Sequence, residues 1–174
     1  MAKVSLTKLG LKINQDIKTI EFNEQIIEVK QYLPVNDKLE LISNVINLAH
    51  DENNFSNPVK VSIFTTLEII YAYTNINFTE KQKEDLTKLY DMLISSGLVC
   101  EVINAIPEAE YHEIICGVED SINAIYTYRN SVMGILDTIT NDYDGMNLDA
   151  TNIYNKLADP DNMDLIKQVL TKLG

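Results

Sequence analysis

The longest regular pattern in this sequence is a row of apolar and aromatic side chains that recur every three or four residues. It comprises Tyr111, Ile114, Ile115, Val118, Ile122, Ile125, Tyr126, Arg129, Val132, Met133 and Leu136. This spacing places the side chains on one face of an α-helix, and about 25 residues at 1.5 Å each give a helix roughly 40 Å long. Since such a helix needs other elements to cover its apolar face, the pattern predicts helices packed around one long central helix.

Further helices are predicted on both sides of this long helix. Residues 59–75 form a run too long for one strand, and Thr79 and Gln82 have the spacing of a capping box before the next helix. Gly97 is placed to end that helix, and a short helix follows up to Pro107. Beyond the loop "TNDYDGMNLD", two more helices are predicted, "ATNIYNKLA" and "DNMDLIKQVLTKLG".

The N-terminal part of the chain has a different period. The short runs "KTIEF" and "QIIEVKQYL" alternate apolar with polar residues on either side of Asn23, which favours a turn, so a β-hairpin is predicted. Pro34 lacks an amide donor and ends the second strand. Asp37 and Glu40 then have the spacing of a capping box, and the helix that they begin has a predicted buried stripe of Leu39, Ile42, Ile46 and Ala49.

These patterns predict an α+β fold, mostly α, in which an N-terminal β-hairpin precedes a bundle of about six helices. The 174 residues, 45% of them apolar, suffice for a single domain over 1–174. The hairpin occupies 1–33 of this domain and the helical bundle occupies 36–174. Because the edge strands of a hairpin pair readily with other strands, the sequence also predicts self-association.

The formal net charge of −12 restricts the choice of partners. Binding of DNA or RNA needs clustered Lys and Arg, so direct contact with nucleic acid is not expected. An acidic surface instead suits solubility or docking on a basic protein. The apolar runs are too short to span a membrane, and the first ten residues lack the apolar region of a signal peptide, which predicts a cytoplasmic protein.

The reactive side chains form no recognisable catalytic or metal-binding motif in the sequence. Cys100 and Cys116 lie in apolar helical patterns and are predicted to be buried thiols in a reducing compartment. His50 and His112 stand beside carboxylates without a second histidine four residues away, and both are predicted to face solvent. The acidic loop around Gly145 lacks carboxylates at the first and twelfth positions of a calcium loop. We therefore expect no enzymatic activity, cofactor or metal.

Five residues are candidates for contact with a partner, namely Tyr71, Tyr73, Tyr126, Tyr128 and Arg129. Tyrosines two positions apart on a helix point in nearly opposite directions, so the members of each pair cannot all face one core. An exposed tyrosine is a common anchor in protein interfaces. Arg129 is the single arginine of the chain and lies on the apolar stripe, where both a half-buried ion pair and a partner contact are consistent with the pattern.

Five stretches of the chain carry a family resemblance: "VSLTKLGLK", "IEVKQYLPVNDKLELISNVIN", "EIIYAYTNINFTEKQKED", "YRNSVMGIL" and "LADPDNMDLIKQVLTKLG". Together they resemble small proteins encoded in the structural-gene regions of tailed phages of AT-rich Gram-positive hosts. In layout the chain is similar to tail assembly chaperones, which are small acidic helical proteins that bind tail-forming proteins. The resemblance implies a non-enzymatic role in virion morphogenesis, in the cytoplasm of the host bacterium, with a tail or other virion protein as partner.

The resemblance and the charge lead to two functional hypotheses. The first is a phage assembly protein that holds a virion component through the long helix and an exposed apolar or tyrosine-bearing surface. The alternative is an acidic, DNA-mimicking inhibitor of a host defence nuclease, similar to anti-CRISPR proteins, whose carboxylates occupy a basic channel. An exposed apolar patch favours the first hypothesis, whereas carboxylates concentrated on one face favour the second.

Overall fold

The computed structural model of the protein describes residues 3–50 and 56–137. The chain divides into two compact units, Met1–Ile125 and Tyr126–Gly174. In the described part, a 3-10 helix at Leu6–Leu9 precedes a two-stranded sheet, and six α-helices and a short helical segment at 132–137 follow that sheet. This order confirms the predicted α+β, mostly α fold with its N-terminal β-hairpin. The loop around Gly145 and the two helices predicted after it lie outside the described residues.

The hairpin consists of β1 (Ile17–Phe22) and β2 (Gln25–Lys30), which pair antiparallel. Between the strands, Asn23 and Glu24 have φ angles of 51° and 62°. Two consecutive left-handed residues are what a tight type I′ turn requires, and this turn matches the right-handed twist of the strands. The predicted turn at Asn23 is therefore confirmed.

The first helix, α1 (Val35–Ala49), begins directly after Pro34, before the predicted capping box of Asp37 and Glu40. No side chain caps its N-terminus, so the predicted capping box is wrong. The predicted stripe is also rotated, because Leu39 is 60% exposed. A shift of one residue turns a helical stripe by about 100°, and the buried residues of α1 are Lys38, Leu41, Val45 and Ala49.

The second helix, α2 (Pro58–Tyr73), confirms the prediction made from the length of its run. Asn57 caps the helix, since its side chain accepts hydrogen bonds from the backbone N–H groups of Val59 and Lys60. Pro58 occupies the first helical position, where its missing N–H costs nothing. In the described part of the chain, α1 and α2 form the most extensive contact between two helices.

The segment after Thr79 folds as two helices where the sequence predicts one. Thr79 and Gln82 form the predicted capping box in front of α3 (Glu80–Lys83). The next helix, α4 (Leu86–Ser95), starts anew because the side chain of Asp85 accepts a hydrogen bond from a backbone N–H of its first turn. An aspartate that caps a helix in this way also ends the preceding one.

The last two described helices are α5 (Leu98–Ala105) and α6 (Glu108–Arg129), which has 22 residues and is the longest helix in the described part. The predicted single helix up to Leu136 is wrong, because the chain bends at residues 130–131 and is helical again over 132–137. The Asn130 side chain donates a hydrogen bond to the Tyr126 carbonyl. The α-helical bonding pattern ends at Ser131, whose backbone N–H donates to the Tyr128 carbonyl only three residues back.

One core joins the hairpin to the helices. Its fully buried large side chains come from β2 and the loop after it, from the helices α1 and α2, and from α5 and α6: Val29, Leu33, Leu41, Val45, Ile69, Ile70, Tyr73, Val102 and Ile114. Gly117 lies close to α1, since a Cβ at this position would come within 2.6 Å of Ile42 Cδ1. This close approach brings the N-terminal half of α6 against α1.

Candidate protein-binding surfaces

A charge network, buried at Lys38 and Glu110, joins the N-terminal parts of α1 and α6. Lys38 Nζ lies 3.0 Å from Glu110 and 2.7 Å from Glu113 Oε2, and the Lys38 side chain is only 7% exposed. The ammonium group also lies 4.9 Å from the centre of the Tyr32 ring, within range of a cation–π interaction. Burial acts to lower the pKa of Lys38, but the hydrogen bonds to Glu113 and Glu110 raise it above its ordinary value of 10.5.

Glu110 is the centre of this network. Its Oε2 accepts hydrogen bonds from the Tyr73 hydroxyl and from the Leu33 backbone N–H, each at 3.2 Å. Burial and the neighbouring Glu110 carboxylate raise the pKa of Tyr73 well above its ordinary value of 10.0. The network thus connects the loop after β2, α1, the end of α2 and α6, and its charged and polar groups bind one another. We assign it a structural role.

A cleft of about 280 Å³ opens between α1 and α2. Its apolar lining residues are Leu33, Leu41 and Ala72, and Tyr71 adds an aromatic side chain that is 50% exposed. The polar lining residues include three carboxylates and one lysine: Asp37, Glu40, Glu68, Asn44 and Lys30. We call this feature the α1–α2 cleft.

The carboxylates of the α1–α2 cleft outnumber its cations. Lys30 Nζ donates a hydrogen bond to the Ala72 carbonyl at 2.9 Å, and the Asn44 side chain donates one to Glu68 at 3.1 Å. Burial is the main cause that raises the pKa of Glu68 above its ordinary value of 4.5; the bond from Asn44 opposes this effect, and the charge of Glu40 adds to it. A cationic side chain entering the cleft would relieve this repulsion.

The predicted tyrosine pair of α2 divides between surface and core. Tyr71 lies in the α1–α2 cleft, and its ring centroid is 6.0 Å from that of Phe78. Tyr73 is completely buried, so the structure corrects its assignment as a surface contact residue. The outward position of Tyr71 and the inward position of Tyr73 follow from their spacing on a helix.

The other three predicted residues lie in the second unit, at the end of α6. Tyr128 is 51% exposed and its hydroxyl donates a hydrogen bond to Asp137, which raises the pKa of Tyr128. Tyr126 and Arg129 are half-buried. The helix brings these three side chains within one turn, whereas Tyr71 belongs to the first unit.

The two cysteines lie on α5 and α6, outside the α1–α2 cleft. Cys100 is exposed, so its prediction as a buried thiol is wrong. On α5 this position points away from the core, which Val99 and Val102 face. Cys116 Sγ lies 3.5 Å from His112 Nε2, one helical turn away. Within residues 3–50 and 56–137, no group of three or more His, Cys, Asp or Glu side chains is placed to hold a metal ion. No helix there is long and apolar enough to cross a membrane.

A second candidate surface is the segment before the hairpin, residues 3–16, which we call the N-terminal arm. All of its residues are exposed, including the large apolar side chains of Val4, Leu6, Leu9, Leu11 and Ile13 at 55% to 72%. Single exposed apolar residues are ordinary on protein surfaces, but a contiguous set marks an interaction site. This surface was not predicted from the sequence, although lysines are interspersed among its apolar residues.

Comparisons of the chain with protein-family models, with curated proteins and with solved structures found no match. The functional conclusion therefore rests on the chemistry of the α1–α2 cleft and on the resemblance of the five sequence stretches.

Proposed function

We propose that this protein acts without catalysis in phage virion morphogenesis, where it binds a tail or other virion structural protein in the manner of a tail assembly chaperone. The observation that carries the proposal is the α1–α2 cleft, with its half-exposed Tyr71 above an apolar floor. The phage setting and the cytoplasm of the host bacterium rest on the sequence resemblance. Neither a cofactor nor a metal has a part in this role.

The chemistry of the cleft defines the kind of segment that it binds. A volume of about 280 Å³ holds one or two side chains of a partner, and a concave apolar floor with an aromatic side chain is typical of an interface anchor. The carboxylates of Asp37, Glu40 and Glu68 favour a Lys or Arg beside the buried group. The expected partner segment therefore combines an apolar side chain with a basic one.

The alternative function is an acidic inhibitor of a host defence nuclease. The three carboxylates that line one cleft favour this function, as does the net charge of −12. A nuclease inhibitor would bind mainly through charge, so its affinity would fall steeply with salt. A partner anchored on Tyr71 would be retained at high salt, since burial of apolar surface is not screened.

The test is affinity capture of partners from a lysate of phage-producing host cells, at low and at high salt, with mass spectrometry of the retained proteins. The tagged wild type is compared with Tyr71→Ala and with Tyr128→Ala. The two tyrosines have the same exposure, 50% and 51%, but Tyr128 does not line the cleft. They therefore form a matched pair.

We expect the wild type to retain a tail or capsid protein at both salt concentrations. Tyr71→Ala should weaken this binding by about 2 kcal/mol, roughly thirtyfold in Kd, and Tyr128→Ala should leave it unchanged. Retention of a host nuclease that is lost at high salt would establish the alternative instead. Equal binding by the wild type and Tyr71→Ala would contradict the role of the cleft.

A further inference from the structure

The N-terminal arm is a basic segment on an acidic protein. Residues 3–16 contain three lysines, Lys3, Lys8 and Lys12, and a single carboxylate, Asp16. The remainder of the chain therefore carries more negative charge than the net value of −12 for the whole. The charge of the arm is complementary to that of the body from which it extends.

The apolar side chains of the arm lack a cover in the described part of the chain. Leu6 is 72% exposed, Leu11 is 71% exposed and Ile13 is 70% exposed. The arm leads directly into β1, whose only strand partner among the described residues is β2. One edge of β1 therefore has no strand neighbour among the described residues, and such edge strands readily pair with another chain.

We propose that the N-terminal arm docks on the acidic body of a second copy of this protein. A second copy fits because its chain outside the arm carries a net negative charge, and because two copies can exchange arms so that each contact is made twice. The Leu and Ile side chains of the arm are then removed from water, and the lysines fix the contact through charge. This proposal is independent of the α1–α2 cleft and of the partner that the cleft binds.

The experiment measures the molar mass of the full chain by light scattering and sedimentation, over a wide range of concentration and salt. One variant carries Leu6→Gln, Leu9→Gln and Leu11→Gln. Its matched control carries Val59→Gln, Met92→Gln and Ile94→Gln, which also replace three exposed apolar side chains. Since the arm has no buried residue, its variant should keep the circular dichroism spectrum of the wild type.

A second pair of variants tests the role of charge. Lys3→Glu, Lys8→Glu and Lys12→Glu reverse the charge of the arm. The control reverses three exposed lysines elsewhere, Lys60, Lys81 and Lys88, and changes the net charge of the chain by the same amount.

We expect the wild type to form a dimer or larger closed oligomer as concentration rises, with a dissociation constant that increases with salt. Both arm variants should weaken this association by about tenfold or more, while both controls resemble the wild type. A wild type that is monomeric at every concentration would overturn the proposal, and so would arm variants that associate as well as their controls. The Tyr71→Ala variant should associate like the wild type, which separates this proposal from the proposed function.

Discussion

At the scale of single residues, the contrast between Glu110 and Glu113 shows how burial determines the contribution of an ion pair to stability. Both carboxylates bind Lys38, but the side chain of Glu110 is 13% exposed and that of Glu113 is 60% exposed. Glu110 also accepts hydrogen bonds from Tyr73 and from the Leu33 backbone. Removing a buried partner leaves the other charge uncompensated, whereas an exposed pair is screened by solvent.

We therefore predict that Glu110→Gln lowers the free energy of unfolding by about 2–4 kcal/mol. The matched variant Glu113→Gln should lower it by less than about 1 kcal/mol. Urea denaturation at pH 7, followed by circular dichroism, measures both changes. Equal losses in the two variants would show that the charge of Lys38 is satisfied in some other way.

The position of Lys38 explains why this network could not be predicted from the sequence. The true buried stripe of α1 has a lysine at its first position, and a pattern search for apolar residues starts one position later, at Leu39. Lys38 is buried because Glu110 lies opposite it, 72 residues away along the chain. Local periodicity contains no information on such a pairing. The spacing of Tyr71 and Tyr73 predicts that the two rings face different sides of the helix, but it does not decide which one is buried, so both are contact candidates on the sequence alone.

At the scale of secondary-structure elements, the hairpin turn tests how local conformation contributes to stability. Glu24 has a φ of 62°, a conformation that costs a residue with a Cβ about 1 kcal/mol and that glycine adopts freely. We predict that Glu24→Gly raises the free energy of unfolding by about 0.5–1 kcal/mol. Glu24→Ala is the control, since it removes the same carboxylate but keeps the Cβ. Thermal unfolding measures both variants, and a Tm for Glu24→Gly at or below that of Glu24→Ala would contradict the prediction.

The elements themselves could be predicted where the signal is local, and less well where several local signals compete. The Asn23 turn and the Thr79–Gln82 capping box each lie within four residues, and both are confirmed. The predicted start of α1 is wrong because the helix begins directly after Pro34, so that Asp37 already lies inside the first turn and cannot cap it. The predicted long helix extends too far because the apolar spacing continues past Arg129, whereas the backbone of Ser131 no longer makes the α-helical hydrogen bond.

At the scale of the whole molecule, the buried network and the net charge together predict how stability depends on pH. Lys38 and Tyr73 have pKa values in the folded protein above their ordinary values of 10.5 and 10.0. A group whose pKa is raised on folding contributes stability below its unfolded pKa, and this contribution is lost as pH rises. Above about pH 10 the unfolded chain therefore releases protons that the folded core retains, which favours unfolding.

The net charge acts in the same direction in this pH range. The chain already carries a net charge of −12 at pH 7. Loss of protons from lysines and tyrosines makes this charge more negative, which increases the repulsion between charges in the folded protein. We predict that the free energy of unfolding falls steadily between pH 9 and 11, as measured by urea denaturation, and that added salt restores part of it by screening.

Tyr73→Phe should start from a stability lower by about 1 kcal/mol at pH 8, because a hydrogen bond to Glu110 is lost. Above pH 10 the free energy of unfolding of this variant should fall less steeply than that of the wild type, since the variant lacks the buried hydroxyl whose pKa is raised on folding. An equally steep fall in both proteins would show that net charge alone causes the loss of stability at high pH.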